Sequence, residues 1–233
     1  MHITAVGFAK VWKYAVLFKQ GLICTLSLSA LTVIFGFILA LILALCRMGK
    51  SRVLRTIATA YVEVFRATPM LVQLFIVYFV LFAGAKLPNI MLFGFIRFGR
   101  FLPGVVALSM NSGAYLCEII RSGIQSIDGG QTEAARSLGL TQGQNMRYII
   151  LPQAIKNILP AIGNEFVTII KESSICYTIG VQEIMYAVTA VKGATYLIAE
   201  PLVIATVMYF CLTYPTSKLI AYFERRMSRG DRR

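Results

Sequence analysis

Residues 22–46 read LICTLSLSALTVIFGFILALILALC, twenty-five residues without a charge. As a helix this run reaches roughly 37 Å, enough to cross the hydrocarbon of a bilayer with some tilt. Lys10, Lys13 and Lys19 precede it as in a secretory leader. The apolar stretch is too long for a leader, however, and it ends on Arg47 rather than on small residues. Composition extends the membrane reading to the whole chain. Of 233 residues 58% are hydrophobic and 14% charged, and the mean hydropathy is +0.72, far from a water-facing surface.

Four more apolar segments follow, at 69–85, 102–120, 157–191 and 201–223. Pro69 stands where a helix starts, and Pro215 sits inside the last segment, tolerable where neighbours satisfy the freed carbonyl. The stretch 157–191 is too long for one simple span, so it predicts a helix plus a bent or re-entrant piece. Lys171, Glu172 and Ser173 bracket the expected break. The expected fold is all-α integral membrane with about five transmembrane helices: a short segment 1–20, a membrane domain 21–223 and a basic tail 224–233. Fourteen basic residues fall on the side of the first loop, the middle polar stretch and the C-terminus, against seven on the other. The positive-inside rule then puts the C-terminus in the cytoplasm and the N-terminus outside.

The net charge of +13 is explained by basic loops against anionic lipid and implies no nucleic-acid partner. Cys24, Cys46, Cys117, Cys176 and Cys211 all lie in apolar segments without metal spacing and read as small core residues. His2 is the single histidine, and GxxxxGK[ST] is absent, so neither a histidine-rich metal site nor a P-loop belongs to this chain. Polar groups inside the apolar segments are costly unless paired or facing a cavity. Asn111, Glu118, Glu165, Lys171 and Glu172 are therefore the candidates for a solute path, Asn111 and Glu165 being the deepest. Glu63 and Arg66, three apart, are placed to pair on one helix face.

One polar island interrupts the pattern: QTEAARSLGL, residues 131–140. Asp128 and Gln131 have capping-box spacing, which predicts a helix from Gly129. Gly139 stands where a left-handed cap would end it. Thr141 and Gln144 repeat the capping-box spacing for a second short helix that Pro152 would limit. Ala134 and Ala135 carry little bulk beside the apolar Leu138. Such a surface suits either close docking against another protein or a hairpin that merely ties two spans together.

Glu133, Ala134, Ala135, Gly139, Ile149, Leu151 and Pro152 keep every spacing of the EAA motif: EAA, three residues, Gly, nine residues, I-x-LP. The chain thereby resembles the permease subunits of bacterial ABC importers, in their polar amino acid branch. The stretches YVEVFRATPMLVQLF (61–75), EIIRSGIQSIDGGQTEAARSLG (118–139), ILPQAIKNILPAIGNEF (150–166) and KESSI (171–175) carry the same likeness. The branch more often has Lys-Asp-Thr-Ser-Leu at the last of these. The resemblance covers roughly residues 21–223 and implies a type I ABC importer permease fold, with the loop 128–155 as a cytoplasmic coupling helix. Gln131, Glu133, Ala134, Ala135, Leu138 and Gly139 would dock a separate ATPase. That subunit would bind ATP and Mg, leaving this chain without a cofactor or catalytic residue of its own. A second permease copy or paralogue and an extracytoplasmic substrate-binding protein complete the expected partners. The cargo would be a polar amino acid of the arginine, lysine, histidine or glutamine, glutamate class. A secondary transporter, an intramembrane enzyme and a membrane scaffold are the competing classes. No internal repeat supports the first, and no nucleophile or metal set supports the second.

Overall fold

A computed structural model of the chain describes residues 4–228. Its helices are α1 (Ala5–Trp12), α2 (Ala15–Met48), α3 (Arg52–Ala67), α4 (Met70–Ile76), α5 (Phe98–Gln125), α6 (Gly129–Ser137), α7 (Gln142–Asn145), α8 (Leu151–Glu172), α9 (Ile184–Thr195) and α10 (Ala199–Ser228). Strands β1 (Met91–Leu92) and β2 (Ile96–Arg97) form a two-residue hairpin ahead of α5, with Met91 opposite Arg97.

Among the described residues, α2 and α10 alone are long and apolar enough to cross a membrane by themselves. Two bent pairs bring the number to four. One is α3 with α4 and its π-helical extension Val77–Leu81, bent by 114°; the other is α8 with α9, bent by 45°. The segment expected as a further pass is α5, 28 residues long, which runs through the bundle with its polar Ser109, Asn111 and Ser112 buried. The fold is thus an all-α membrane bundle. The helices reach beyond the apolar runs of the sequence: α2 starts at Ala15, α10 runs on to Ser228, and the second apolar segment forms a short helix to Leu81 reached from α3. The predicted break in the fourth segment is present: α8 ends at Glu172 and a 3₁₀ stretch Ser173–Ile179 leads to Gly180 and α9.

The packing of α2 on α5 follows from spacing. Gly21, Thr25, Ser29, Thr32, Gly36, Ala40 and Ala44 recur every three or four residues and are all buried, giving one face of α2 almost no bulk. Backbones approach closely along such a stripe, and in lipid this dispersion contact takes the place of the hydrophobic effect. Ser109 Oγ donates to the Thr32 carbonyl across it at 3.4 Å. A Cβ at Gly21 would come within 2.9 Å of the Glu183 carbonyl, so α9 also seats on this face. Apolar clusters lie on either side of the polar stretch 109–112. Leu28, Leu74, Phe101, Val105 and Val181 belong to one at the β-hairpin end. Ala40, Val62, Leu116, Ile120 and Ile158 belong to one at the α6 end. Cys24, Cys117 and Cys176 are buried, as expected of core residues, whereas Cys211 points outward from α10.

Opposite ends of the bundle hold the two ends of the described chain. α1 packs beside the start of α10, while Ile220, Phe223 and Met227, toward its end, line one cavity with Leu159 and Pro160 of α8.

Candidate functional site

The island folds as helix, corner, helix. α6 starts at Gly129, as expected, with Asp128 Oδ1 accepting the Gly130 N–H at 2.6 Å. The reciprocal half of the expected capping box is missing. Gln131 instead exchanges two amide hydrogen bonds with Gln153 of α8, at 3.1 and 2.5 Å, because α8 runs alongside and offers a partner that can both give and accept. Gly139 is left-handed at φ +83, a conformation that costs a side-chain-bearing residue about 1 kcal/mol or more. The second capping box is complete: Gln144 N donates to Thr141 Oγ1 at 3.3 Å, and Thr141 N donates to Gln144 Oε1 at 2.8 Å.

Pro152 does not end the second helix. A π-helical turn at Met146–Ile150 intervenes, and Pro152 follows it directly in α8, one residue after Leu151 N–H closes that turn on the Met146 carbonyl. The wider turn accommodates the ring without breaking the rod, so α7 and α8 are continuous.

Asn145 is buried and donates to Thr132 Oγ1 at 3.1 Å, joining α7 to α6. Asn157 of α8 donates to Ser126 Oγ at the end of α5 at 3.0 Å. Through these contacts and the Gln131–Gln153 exchange, the island is fixed to both flanking spans. Of the proposed docking residues, Glu133, Ala134, Leu138 and Gly139 are exposed and Gln131 is half-buried. Leu138 is 82% exposed, the knob that the sequence suggested. Ala135, by contrast, is buried, at 2% exposed.

The intramembrane polar residues divide into two groups. Asn111 and Glu118 are held by their own chain. Asn111 is buried and donates to Gln73 Oε1 at 2.9 Å and toward the Phe65 carbonyl at 3.4 Å, at the break between α3 and α4. Glu118 pairs with Arg47 of α2 at 2.7 Å and with Arg121, and Arg66 of α3 stands 4.0 Å away. Arg66 thus turns to Glu118 across the helix contact and not to Glu63, which is exposed. Glu118 joins α2, α3 and α5 at the island end of the bundle.

The other group lies along α8. Glu165 is half-buried beside Ser112 of α5 and within electrostatic reach of Glu172, two turns further on. Lys171 is exposed and lines a cleft of about 430 Å³ with Ser174, Tyr177, Met185, Thr206 and Tyr209. Two polar residues that the sequence reading passed over do structural work here. Gln73 lies within the apolar segment 69–85 and Glu183 within 157–191, and neither is among the candidates for a solute path. A lone amide just after Pro69 is a usable signal in hindsight. No group of three or more His, Cys, Asp or Glu capable of holding a metal is present among the described residues.

The family model described as binding-protein-dependent transport system inner membrane component matches residues 32–229. The chain belongs to that family. Within it, the permease is 42% identical over 212 residues to the arginine transport system permease protein ArtQ of Bacillus subtilis, covering 91% of this chain and 93% of that one. It is 40% identical over 208 residues to the putative glutamine transport system permease protein GlnP of Rickettsia conorii, covering 89% and 91%. Among solved structures, one titled as an amino acid ABC transporter with histidines superposes with a TM-score of 0.87 at 44% identity, over 97% of this chain and all of that one. The MetNI methionine ABC transporter in an inward-facing form gives 0.69 at 20% identity over 91% and 96%, a likeness of fold alone. The permease is accordingly a multi-pass inner-membrane transport subunit of the polar amino acid branch of ABC importers, with the type I importer fold.

Proposed function

We propose that this permease moves a polar amino acid inward across the cytoplasmic membrane, driven by ATP hydrolysis in a separate ATPase docked on the island. The observation that carries this is the tip of α6. There Leu138 projects, Glu133 and Ala134 lie open, and the hairpin behind them is tied to α5 and α8. ATP and Mg belong to the partner; this chain supplies no catalytic residue. A knob on a stiff lever converts the closing of a partner into rigid-body motion of spans, the general way an interface change becomes a large rearrangement. In this reading Gln131 and Ala135 hold the knob from behind rather than touching the ATPase.

A second copy or a paralogue completes the pore, and an extracytoplasmic binding protein delivers the solute. The island and the C-terminus face the cytoplasm, supported by the two-to-one excess of basic residues on their side. The relatives' names support arginine or glutamine as first cargoes to test. Glu165 and Glu172 favour a cationic side chain, with Lys171 at the edge of the path. Asn111 and Glu118, already engaged within the chain, hold the helices that frame it.

The test is ATP-dependent uptake of radiolabelled arginine and glutamine into vesicles holding the assembled importer, beside a Gly139→Asp form. The aspartate combines a side chain at φ +83 with a new charge at the tip, and it should lower uptake by at least about tenfold, a loss of about 1.4 kcal/mol in coupling. Folding of the variant is checked by its retention in the membrane. Undiminished uptake would remove the island from the mechanism. Loss of uptake in Glu165→Gln with subunits still assembled would support the path through α8.

A further inference from the structure

α1 has two unlike sides. Thr4 caps it, its hydroxyl accepting the Gly7 N–H at 3.0 Å. Val11 is fully buried in a cluster with Phe18, Ile184, Val188 and Ala205. Glu200, in the first turn of α10 and itself buried, accepts the Thr4 N–H at 3.4 Å. Its carboxyl group lies so close to Gly7 that an added Cβ would collide with it. These contacts fix α1 at the bundle end where α2 and α10 begin. The outer side is bare. Trp12 is 76% exposed, Val6 66% and Val16 65%. Lys10, Lys13 and Lys19 are exposed among them, and residues 4–20 contain no acidic side chain.

At 34 residues α2 would extend roughly 51 Å, well beyond the hydrocarbon thickness, so its first turns stand in the headgroup zone. The apolar flank opened by Val16 continues down α2 through the exposed Leu26, Ile34 and Phe35. The bare side of α1 is therefore the upper end of a surface that faces the bilayer. An indole left in water loses its apolar contacts, and one in hydrocarbon loses its N–H partner. The interface satisfies both halves. Lysines around it reach phosphate while their stems stay on apolar surface.

We infer that α1 lies in the lipid headgroup layer, with Trp12 seated at the boundary between water and hydrocarbon and Lys10, Lys13 and Lys19 on lipid phosphates. The segment is then an interfacial anchor that holds the start of α2 and α10 at a set depth.

Trp12 is the only tryptophan in the chain, which makes the test direct. The permease is reconstituted with its partner subunits in vesicles of phosphatidylcholine with phosphatidylglycerol, and the spectrum of a Trp12→Phe sample is subtracted so that the partners' tryptophans cancel. The emission should be blue-shifted. Lipids brominated near the glycerol end should quench it about twofold or more over lipids brominated near the chain terminus, as interfacial residence requires. Acrylamide quenching equal to that of free N-acetyltryptophanamide would overturn the inference by placing Trp12 in water. Protection from both bromine and acrylamide would also overturn it, because a protein, a second copy or the binding protein, would then cover the face. A Lys10→Glu, Lys13→Glu form should lose part of the bromine quenching in anionic vesicles; unchanged quenching would refute the phosphate contacts.

Discussion

Two spans of this permease are broken, and the breaks are mended with opposite chemistry. Between α3 and α4 the chain bends by 114° at Thr68 and Pro69. Proline brings no N–H, so the end of α3 leaves carbonyls without donors. Gln73 supplies them. Its two Nε2 protons are shared among the Phe65 carbonyl at 2.8 Å, the Thr68 carbonyl at 3.0 Å and Thr68 Oγ1 at 2.8 Å, while its Oε1 receives Asn111. Between α8 and α9 the need is reversed, because the start of α9 leaves N–H groups without acceptors. Glu183, fully buried, accepts from Met185 N at 2.9 Å and Tyr186 N at 2.8 Å, and Tyr209 OH of α10 donates to it at 2.7 Å. A helix end inside a membrane must be satisfied by protein. Here a C-terminal break takes an amide and an N-terminal break takes a carboxyl group.

The comparison is broken most severely by exchanging the donor for an acceptor. Gln73→Glu removes both amide protons and sets carboxyl oxygens against the Phe65 and Thr68 carbonyls, and an unsatisfied buried group costs about 1–3 kcal/mol. We expect the variant to lose several kcal/mol, read as failure to assemble or a large fall in Tm in detergent. A Tm within a degree or two of the parent would refute the role assigned to Gln73. Next comes Glu183→Ala, which strips the cap from α9 and the acceptor from Tyr209, for about 2–4 kcal/mol. The reverse exchange, Glu183→Gln, keeps one oxygen for the N–H groups and should cost only about 1 kcal/mol. If Glu183→Gln proves as damaging as Gln73→Glu, the acceptor argument fails. The smallest effect belongs to Pro69→Ala, within about 0.5 kcal/mol, since Gln73 and Asn111 hold the bend whether or not an N–H is present. Spin labels at the exposed Val64 and Val80 would report it: an unchanged distance is expected, and a lengthened one would make proline the cause of the bend.

The island and the breaks differ in how far the sequence announced them. The start of α6 at Gly129, the turn at Gly139 and the Thr141 capping box are local events, each set by residues within four positions, and spacing foretold all three. In the first half of the island a distant residue intervened: Gln131 pairs with Gln153, twenty-two positions on, and Ala135 is buried. The π-turn before Pro152 was not legible, because spacing does not reveal that a helix can widen to keep its axis.

The polar candidates follow the same rule. That Asn111, Glu118 and Glu165 are special was readable from the cost of polarity in an apolar span. Their separate fates were not. Asn111 and Glu118 are held by Gln73, Arg47 and Arg66, which lie 38 to 71 positions away, while Glu165 stands beside Ser112 with Glu172 within electrostatic reach. The sequence by itself determined the medium, the all-α class, the family motif and the place of the island, because hydrocarbon demands long apolar helices and capping is local. Only the tertiary structure decided which polar groups satisfy one another and which remain open to a solute or a partner, because those pairings depend on helices meeting across the bundle.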